Sequence, residues 1–324
     1  MDRLSIIKKP IASELETFTR YFTSQFKSDN PLLDNALKHV VDSRGKMMRP
    51  MFLMLIAKIA GELNTKIYAA ATALEILHTA SLLHDDVVDE SDKRRGRPSL
   101  NVAYTNNIAV LTGDYLFSQA LNNAAVTCDY HIVQELSILG KALSRGEIMQ
   151  IQLQGEGTYS EENYMNVIYC KTASFFVCSA ACACLLAGFP DETTECLKKF
   201  GKYAGMCFQM KDDIFDYSKA DVGKPTGSDM REGKITLPAL YVLRESNNPL
   251  LEPIREKLKS GVYLDDAEIE TLIKLSVEEG GIAYANETIE RYRAMALEQL
   301  PADMPQDIYD ALVAYLDYVI QREK

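Results

Sequence analysis

The sequence has almost no signal for β-structure, no excess of basic charge and no low-complexity linker. No stretch alternates apolar and polar residues with period two between turn dipeptides, which argues against a sheet protein. The 324 residues carry a formal net charge of −11 and a pI near 5.0, whereas proteins that bind nucleic acid normally present a basic face. These absences favour a helical protein for which we expect no nucleic-acid partner.

Signals for export or membrane insertion are also missing. The N-terminal residues have scattered charges and no apolar h-region, so we expect no signal peptide. The most apolar stretch, residues 173–189, is shorter than the ~20 residues that span a bilayer. Seven cysteines are present, and none has a zinc-site spacing, so we interpret them as packing residues in a reducing cytosol. We therefore expect a cytoplasmic protein without stable membrane insertion.

Helical periodicity covers most of the chain. Hydrophobic residues make up 47% of the sequence, and a chain of this length can bury a large core. Long Ala- and Leu-rich stretches come first, and amphipathic stretches with charged outer faces follow beyond residue 250. One long polar segment, residues 218–234, is predicted to be a loop. The pattern predicts an all-α fold, one bundle of roughly a dozen helices, with residues 1–324 as a single domain.

Two aspartate clusters end apolar helical stretches. The heptapeptide HDDVVDE recurs later in the chain as KDDIFDY. Asp85 and Asp89 are four residues apart and share one helix face, as do Asp212 and Asp216. Like charges at this spacing destabilise a helix, so two copies are hard to explain as ordinary solvated helix ends. If they faced each other, they would suit a hard divalent cation such as Mg²⁺, with water and substrate phosphates as further ligands.

Basic residues accompany these carboxylates. Cations follow the first cluster directly, in the run KRRGR, and others occur in the segments GKMMRP, YCKTAS and VGKPTGSDMREGK. Cations clustered locally in an acidic protein are suited to hold a small anion, while a metal bridges that anion to the aspartates. They are more numerous than one diphosphate needs, which indicates two phosphorylated substrates.

Together, five segments resemble the signature motifs of the trans-isoprenyl (polyprenyl) diphosphate synthases. They are GKMMRP, LLHDDVVDESDKRRG, KTA, FQMKDDIFDY and GKPTGSDMREGKITLP, between residues 45 and 238. The sequence of the segment HTASLLHDDVVDESDKRRG is most similar to bacterial medium- and long-chain enzymes of the octaprenyl type. The resemblance implies an isoprenoid-synthase bundle around a central active-site cavity, and a homodimer. It also implies head-to-tail (1′-4) condensation of isopentenyl diphosphate with an allylic diphosphate, geranyl or farnesyl. The cofactor implied is Mg²⁺, three ions per active site with substrate bound.

The resemblance further implies roles for matching residues. The magnesium ligands would be Asp85, Asp89 and Asp212, and the catalytic carboxylates beside them Asp86, Asp213 and Asp216. The allylic diphosphate would be held by Arg94, Lys171, Lys224 and Lys234, and isopentenyl diphosphate by Lys46, Arg49, His78 and Arg95. Thr172 and Gln209 match groups whose dipoles face the developing carbocation. Met47 is a departure, because the family usually has an arginine there.

Small residues precede the first aspartate cluster. Ala80 lies five residues before Asp85, about one and a half helical turns away, and Ser81 adjoins it. In the family, bulky aromatic residues at this place stop the growing chain at fifteen carbons. We therefore predict that Ala80 and Ser81 permit a longer product, with octaprenyl as the length most favoured and a short-chain farnesyl or geranylgeranyl synthase as the alternative.

Three other classes of protein fit parts of the pattern. A di-iron bundle needs the Glu-x-x-His pattern twice, and here only Glu75 and His78 have it. A terpene cyclase shares the first aspartate motif but usually has an Asn/Ser/Glu-type second motif. A non-catalytic subunit of a two-component synthase typically lacks the aspartates, which are intact in this chain.

Overall fold

The structure is a computed structural model that describes residues 2–43, 45–217 and 226–322. These residues form seventeen α-helical segments, which confirms the predicted all-α class. In chain order they are α1 (Arg3–Lys8), α2 (Ala12–Ser24), α3 (Pro31–Asp42), α4 (Met48–Lys58), α5 (Thr65–Val88), α6 (Leu100–Ala103), α7 (Asn106–Val126), α8 (Tyr130–Glu156), α9 (Glu161–Ile168), α10 (Ser174–Ala187), α11 (Asp191–Phe215), α12 (Ser228–Arg231), α13 (Leu237–Glu245), α14 (Leu251–Lys259), α15 (Asp266–Glu278), α16 (Gly281–Leu297) and α17 (Gln306–Gln321). There are more than the expected dozen because helices as short as α6 and α12 show no apolar periodicity.

Four shorter elements lie between these helices. A 3₁₀ turn, Lys9–Ile11, joins α1 to α2, and a π-helical turn, Tyr169–Ala173, joins α9 to α10. The strands β1 (Lys93–Arg94) and β2 (Arg97–Pro98) form an antiparallel hairpin. The hairpin therefore occupies the basic run that follows the first aspartate cluster.

The chain forms two compact units. Unit 1 consists of Met1–Ile138, Cys178–Lys198 and Pro301–Tyr315. Unit 2 consists of Leu139–Val177, Lys199–Leu300 and Leu316–Lys324. The single domain over residues 1–324 stays a prediction.

Helix α5 is the central helix of unit 1. Its N-terminus is capped by Asn64, whose side-chain oxygen accepts hydrogen bonds from the N–H groups of Lys66 and Ile67 at 3.0 and 3.2 Å. Helices α2, α4 and α7 pack against α5, and small side chains allow them to approach closely. Four of these are fully buried alanines: Ala69, Ala70, Ala71 and Ala73. With no glycine or proline to interrupt it, α5 continues to the first aspartate cluster.

In unit 2, helix α11 lies very close to the π-helical turn. A Cβ atom on Gly205 would lie 2.5 Å from Cα of Ala173, so only glycine permits this approach. Gly205, Gln209 and Asp213 are spaced by four residues and share one face of α11. The face that packs on the π-helical turn therefore carries part of the second aspartate motif.

One helical segment, Glu161–Ala187, is long and apolar enough to cross a membrane by length and composition alone. It is longer than the apolar stretch seen in the sequence because α9 and the π-helical turn continue into α10. Within its most apolar window, 72% of the residues are buried inside the structure, which supports the interpretation as a core helix of a soluble protein. All seven cysteines are free and five are buried, as expected of packing residues. A cytoplasmic location stays a prediction.

Candidate active site

The first aspartate cluster lies at the C-terminal end of α5. Asp85 is half-buried and Asp89 is exposed, one turn apart on one helix face. Asp86 is buried and accepts hydrogen bonds from Arg94, whose Nε lies 2.9 Å from Oδ1 and whose Nη2 is also bonded to it. The three aspartates thus divide into two that are accessible to a ligand and one that fixes the β1–β2 hairpin to α5.

The hairpin directs Arg95 toward the GKMMRP segment. Its two turn residues, Arg95 and Gly96, have φ values of 53° and 78°, as in a type I′ turn. A positive φ is uncommon for a residue other than glycine, and the Arg95 side chain is held by a hydrogen bond from Nη1 to the carbonyl oxygen of Ser43 at 2.8 Å. A Cβ atom on Gly45 would lie 2.8 Å from Cζ of Arg95. The guanidinium group therefore packs on the backbone just before Lys46.

The GKMMRP segment turns sharply before α4 begins. Met47, at the position where the family usually has arginine, has a φ of 56° and occupies the N-cap of α4. Arg49 follows in the first turn of the helix. The left-handed conformation of Met47 thus separates Lys46, in the irregular segment, from Arg49, on the helix.

Glu75 is a buried carboxyl group on α5, near two of these arginines. Burial raises the pKa of Glu75, and the charges of Arg49 and Arg95 lower it. Its Oε2 atom has no hydrogen-bond partner among the described residues. Glu75 and Arg95 both line a cavity of about 50 Å³. Sequence reasoning missed Glu75 as a site residue, although the acidic side chain in the middle of an apolar helix was a visible signal.

His78 lies one turn beyond Glu75. Burial lowers the pKa of His78 well below its usual value, and the positive charges of Arg49 and Arg95 lower it further. The imidazole is therefore neutral at pH 7. The structure brings together Arg49, His78 and Arg95, three of the four residues predicted to hold isopentenyl diphosphate.

The second aspartate cluster ends α11 in unit 2. Oδ1 of Asp212 lies 2.5 Å from Nη2 of Arg322, whose guanidinium group lies 3.8 Å above the ring centroid of Phe208. Asp216 accepts hydrogen bonds from the N–H groups of Ser228 and Asp229 at 2.9 and 3.2 Å. Asp216 therefore anchors the start of α12, whereas Asp212 forms an ion pair with Arg322. Sequence reasoning did not identify Arg322.

Hydrogen bonds connect the predicted carbocation-facing groups to the same cluster. The Thr172 hydroxyl donates to Oε1 of Gln209 at 2.6 Å, and Nε2 of Gln209 donates to Oδ1 of Asp213 at 2.7 Å. Tyr164 donates its hydroxyl proton to Oδ2 of Asp213 at 2.6 Å. Burial raises the pKa of Asp213, and these two hydrogen bonds oppose the rise. Tyr164 is a further residue that sequence reasoning missed, because a buried tyrosine in an apolar pattern gives no separate signal.

The lysines predicted to bind diphosphate lie on different elements. Lys171 belongs to the π-helical turn, a feature often found at functional sites, and its Nζ donates to Oε2 of Glu147 at 2.8 Å and to Oε1 of Gln150 at 3.0 Å. Lys234 forms an ion pair with Glu232. Lys224 lies outside the described residues.

The donor set fits a magnesium ion in its chemistry. Within residues 2–43, 45–217 and 226–322, no three His, Cys, Asp or Glu side chains come together as a self-sufficient metal site. Mg²⁺ does not need such a group, because it is usually bound by one or two carboxylates together with water and substrate phosphates. Asp85 and Asp89, one turn apart, offer carboxylate oxygens of the kind it prefers.

Comparisons with known proteins agree on one class, all-α enzymes of isoprenoid synthesis. A profile of the polyprenyl synthetase family matches residues 30–274. Octaprenyl diphosphate synthase of Haemophilus influenzae is 33% identical over 322 residues, 98% of this chain and 97% of that protein. A geranylgeranyl pyrophosphate synthase structure from Bacteroides thetaiotaomicron is 41% identical with a TM-score of 0.86, covering 99% of this chain and 100% of that one. A polyprenyl synthase from Caulobacter crescentus, complexed with calcium and isoprenyl diphosphate, is 28% identical with a TM-score of 0.90, covering 99% and 98%.

The chain belongs to the polyprenyl synthetase family of prenyltransferases. Both the resemblance stated from the motifs and the isoprenoid-synthase type of fold are thereby confirmed.

Proposed function

We propose that this protein condenses isopentenyl diphosphate, in the 1′-4 sense and with Mg²⁺, with an allylic diphosphate to give an all-trans polyprenyl diphosphate longer than fifteen carbons. Octaprenyl diphosphate is the product length we propose. The observation that carries the proposal is the grouping of Arg49, His78 and Arg95 near the same α5 helix that ends in Asp85 and Asp89. A cationic pocket beside accessible carboxylates suits a diphosphate and its metal ion.

The carboxylates and cations would have separate tasks. Asp85, Asp89 and Asp212 would hold Mg²⁺, which when bound draws negative charge from the allylic diphosphate and favours its ionisation. Arg94, Lys171, Lys224 and Lys234 would orient that diphosphate. Lys46, Arg49, His78 and Arg95 would hold isopentenyl diphosphate, with the guanidinium groups supplying charge and the neutral imidazole a hydrogen bond.

The remaining chemistry needs no protein nucleophile. The isopentenyl double bond attacks the allylic cation, C1 of the allyl group bonds to C4 of isopentenyl diphosphate, and a proton leaves to the released diphosphate. Thr172 and Gln209 would present oxygen atoms to the cation. Apolar helix walls would keep water from capturing it.

The proposed product length is supported by small residues on α5. Ala80 is fully buried, and the Ser81 hydroxyl is bonded back to the carbonyl oxygen of His78 at 2.9 Å. Ala73 and Ala69, also fully buried, continue the same helix face away from the aspartates. Geranylgeranyl diphosphate is the second candidate, favoured by the 41% identity with the geranylgeranyl pyrophosphate synthase from B. thetaiotaomicron.

The test is an incubation with farnesyl diphosphate, radiolabelled isopentenyl diphosphate and Mg²⁺, followed by chromatography of the products. We expect chain elongation, and its complete loss in EDTA. Asp85→Ala and Asp212→Ala should each lower turnover by several orders of magnitude. Asp85→Ala should change thermal stability little, because Asp85 is only half-buried. Asp212→Ala also removes the ion-pair partner of Arg322, so its folding is checked by circular dichroism. Asp191→Ala, in the exposed first turn of α11, is the matched control and should retain near wild-type turnover. Cyclised products, no products, or more than a tenth of the wild-type rate in both aspartate variants would contradict the proposal.

A further inference from the structure

Tyr164 is a buried residue on α9 that has no part in the proposed chemistry, yet it is bonded to the second aspartate motif. Its side chain is 7% exposed and its hydroxyl oxygen lies 2.6 Å from Oδ2 of Asp213. The other oxygen of Asp213 accepts the amide N–H of Gln209 at 2.7 Å. Gln209 in turn accepts the hydroxyl proton of Thr172 at 2.6 Å. Four side chains from α9, the π-helical turn and α11 thus form one directed chain of hydrogen bonds.

We infer that Tyr164 is a positioning residue for prenyl transfer, which holds Asp213 so that Asp213 fixes the orientation of the Gln209 amide. The inference rests on the proposed function, because it assigns Tyr164 to the step in which Thr172 and Gln209 face the allylic cation.

The direction of the chain follows from which groups can donate. Each carboxyl oxygen of Asp213 accepts one hydrogen bond: Gln209 donates to Oδ1 and the hydroxyl of Tyr164 donates to Oδ2. Gln209 can do so only through Nε2, which places Oε1 at the other end of the amide. A flipped amide would bring Oε1 to about 2.7 Å from Oδ1 of Asp213 and Nε2 to about 2.6 Å from the Thr172 hydroxyl, so both hydrogen bonds of the amide would have to reverse. The hydroxyl proton of Thr172 then points to Oε1 of Gln209, so the lone pairs of the Thr172 hydroxyl oxygen are left for the substrate.

This orientation matters because the reacting centre is positively charged. Oxygen lone pairs stabilise a developing carbocation, whereas an N–H group pointing at it raises the barrier. Dipoles contribute most when the protein fixes them before the reaction. The pKa of Tyr164 is raised well above its usual value by burial and by the charge of Asp213, so its hydroxyl remains a donor throughout the working pH range.

The test is a steady-state comparison of Tyr164→Phe with the wild type at saturating Mg²⁺. The variant keeps the ring in its buried place and removes only the donor, so Asp213 and the Gln209 amide lose their fixed orientation. We expect kcat to fall at least about tenfold, since loss of one preorganised donor costs up to 10²–10³ in other enzymes. Both KM values should stay within about twofold, because the diphosphate-binding residues are unchanged.

A double variant separates positioning from simple loss of stability. Thr172→Val removes the other end of the chain, and Tyr164→Phe combined with Thr172→Val should lose little more than the worse single variant. Groups that act through one shared residue are strongly non-additive. The matched control is Tyr284→Phe on α16, which loses a comparable bond to a carboxylate, Glu161 at 2.9 Å, and should keep the wild-type kcat.

Each outcome decides the inference. A wild-type kcat in Tyr164→Phe, a change confined to KM, or additive losses in the double variant would overturn it. If circular dichroism shows that Tyr164→Phe does not fold, Asp213→Asn is tested in its place. The asparagine side chain must donate a hydrogen bond at one of the two contacts, so this variant should also lower kcat at unchanged KM. A wild-type kcat in Asp213→Asn would overturn the inference. A wild-type protein that forms no prenyl product refutes the proposed function instead, whereas an active wild type with an unaffected Tyr164→Phe refutes only the role of Tyr164.

Discussion

At the scale of single residues, His78 is a buried imidazole near several arginines. Its folded-state pKa lies well below 6.5, while in the unfolded chain it is about 6.5. As pH falls below about 6.5, the unfolded chain gains a proton at His78 that the folded protein does not. The free energy of unfolding should therefore fall by up to about 1.4 kcal/mol per pH unit from this residue, until the folded pKa is reached.

Urea unfolding of the substrate-free protein at pH 7, 6 and 5 checks this prediction. His78→Gln should lose less stability over this range than the wild type. Gln134→Ala, at an exposed site of α8 without a titratable group, is the control and should retain the wild-type slope. Glu75 has a raised pKa, so its contribution to the free energy of unfolding changes with pH in the opposite direction. This contribution is the same in all three proteins and does not affect the comparison. Parallel stability curves for wild type and His78→Gln would contradict a neutral buried imidazole.

The cations should separate by substrate when they are removed singly. Arg49→Ala should raise the KM for isopentenyl diphosphate more than that for the allylic primer, because a guanidinium group binds a diphosphate through two hydrogen bonds. Lys224→Ala should weaken primer binding and ionisation instead. The control is Lys274→Ala, an exposed site on α15. Steady-state kinetics with each substrate varied in turn provide the measurement, and equal shifts of both KM values in both variants would contradict the division.

The limits of sequence reasoning are clear at this scale. The spacing of Asp85 and Asp89 predicted their common helix face because that geometry is local. The pairing of Asp86 with Arg94, and of Asp212 with Arg322, could not be predicted, because it depends on side chains 8 and 110 residues apart that only the fold brings together. Tyr164 is a buried polar group whose partner lies on another element, and no local pattern identifies it. Glu75 did give a local signal, an acidic side chain within an apolar helix, but the arginines near it lie on other elements.

At the scale of elements, the long helices could be predicted and the exceptions to regular geometry could not. The stretches that form α5 and α7 are long, apolar and free of proline, so both could be predicted as helices. The hairpin has strands of only two residues, and its charged side chains show no alternation, so the basic run gave no sign of it. The π-helical turn Tyr169–Ala173 is one residue wider than an α-turn, and that insertion leaves no mark in composition. The hairpin contains Arg95 and the π-helical turn contains Lys171, two basic residues that the motifs had identified.

The segment of α5 that precedes the aspartates carries the prediction on product length. Ala80→Phe would place a ring at a fully buried alanine, beside which the proposed function requires space for the growing chain. We expect a shorter product distribution, with the first condensation largely retained because the aspartates are one and a half turns away. Ala71→Phe, at another fully buried alanine of α5, is the control for overpacking, which costs about 1–3 kcal/mol. Mass spectrometry of the products provides the measurement. A wild type that stops at farnesyl, or an unchanged long product in Ala80→Phe, would contradict the prediction.

At the scale of the whole molecule, helix α7 carries apolar side chains that are exposed to solvent in the single chain. Val110, Phe117 and Leu121 are 37%, 40% and 42% exposed, and their spacing of seven and four residues puts them on one face. Contiguous exposed apolar residues of this kind often mark a protein interface. The homodimer implied by the family would cover this stripe.

The net charge distinguishes an apolar dimer from an electrostatic one. Each chain carries −11, so two copies repel each other, and association must come from buried apolar area rather than from complementary charge. We therefore expect a wild-type dimer by light scattering whose dissociation constant does not rise with added salt, because salt screens the repulsion. Leu121→Glu would bury a carboxylate in the interface and should weaken association at least about a hundredfold. Val277→Glu, at an apolar residue on α15 that is 52% exposed, should stay dimeric. A wild type that is monomeric at micromolar concentration, or a Leu121→Glu variant that remains a dimer, would show that α7 does not form the interface.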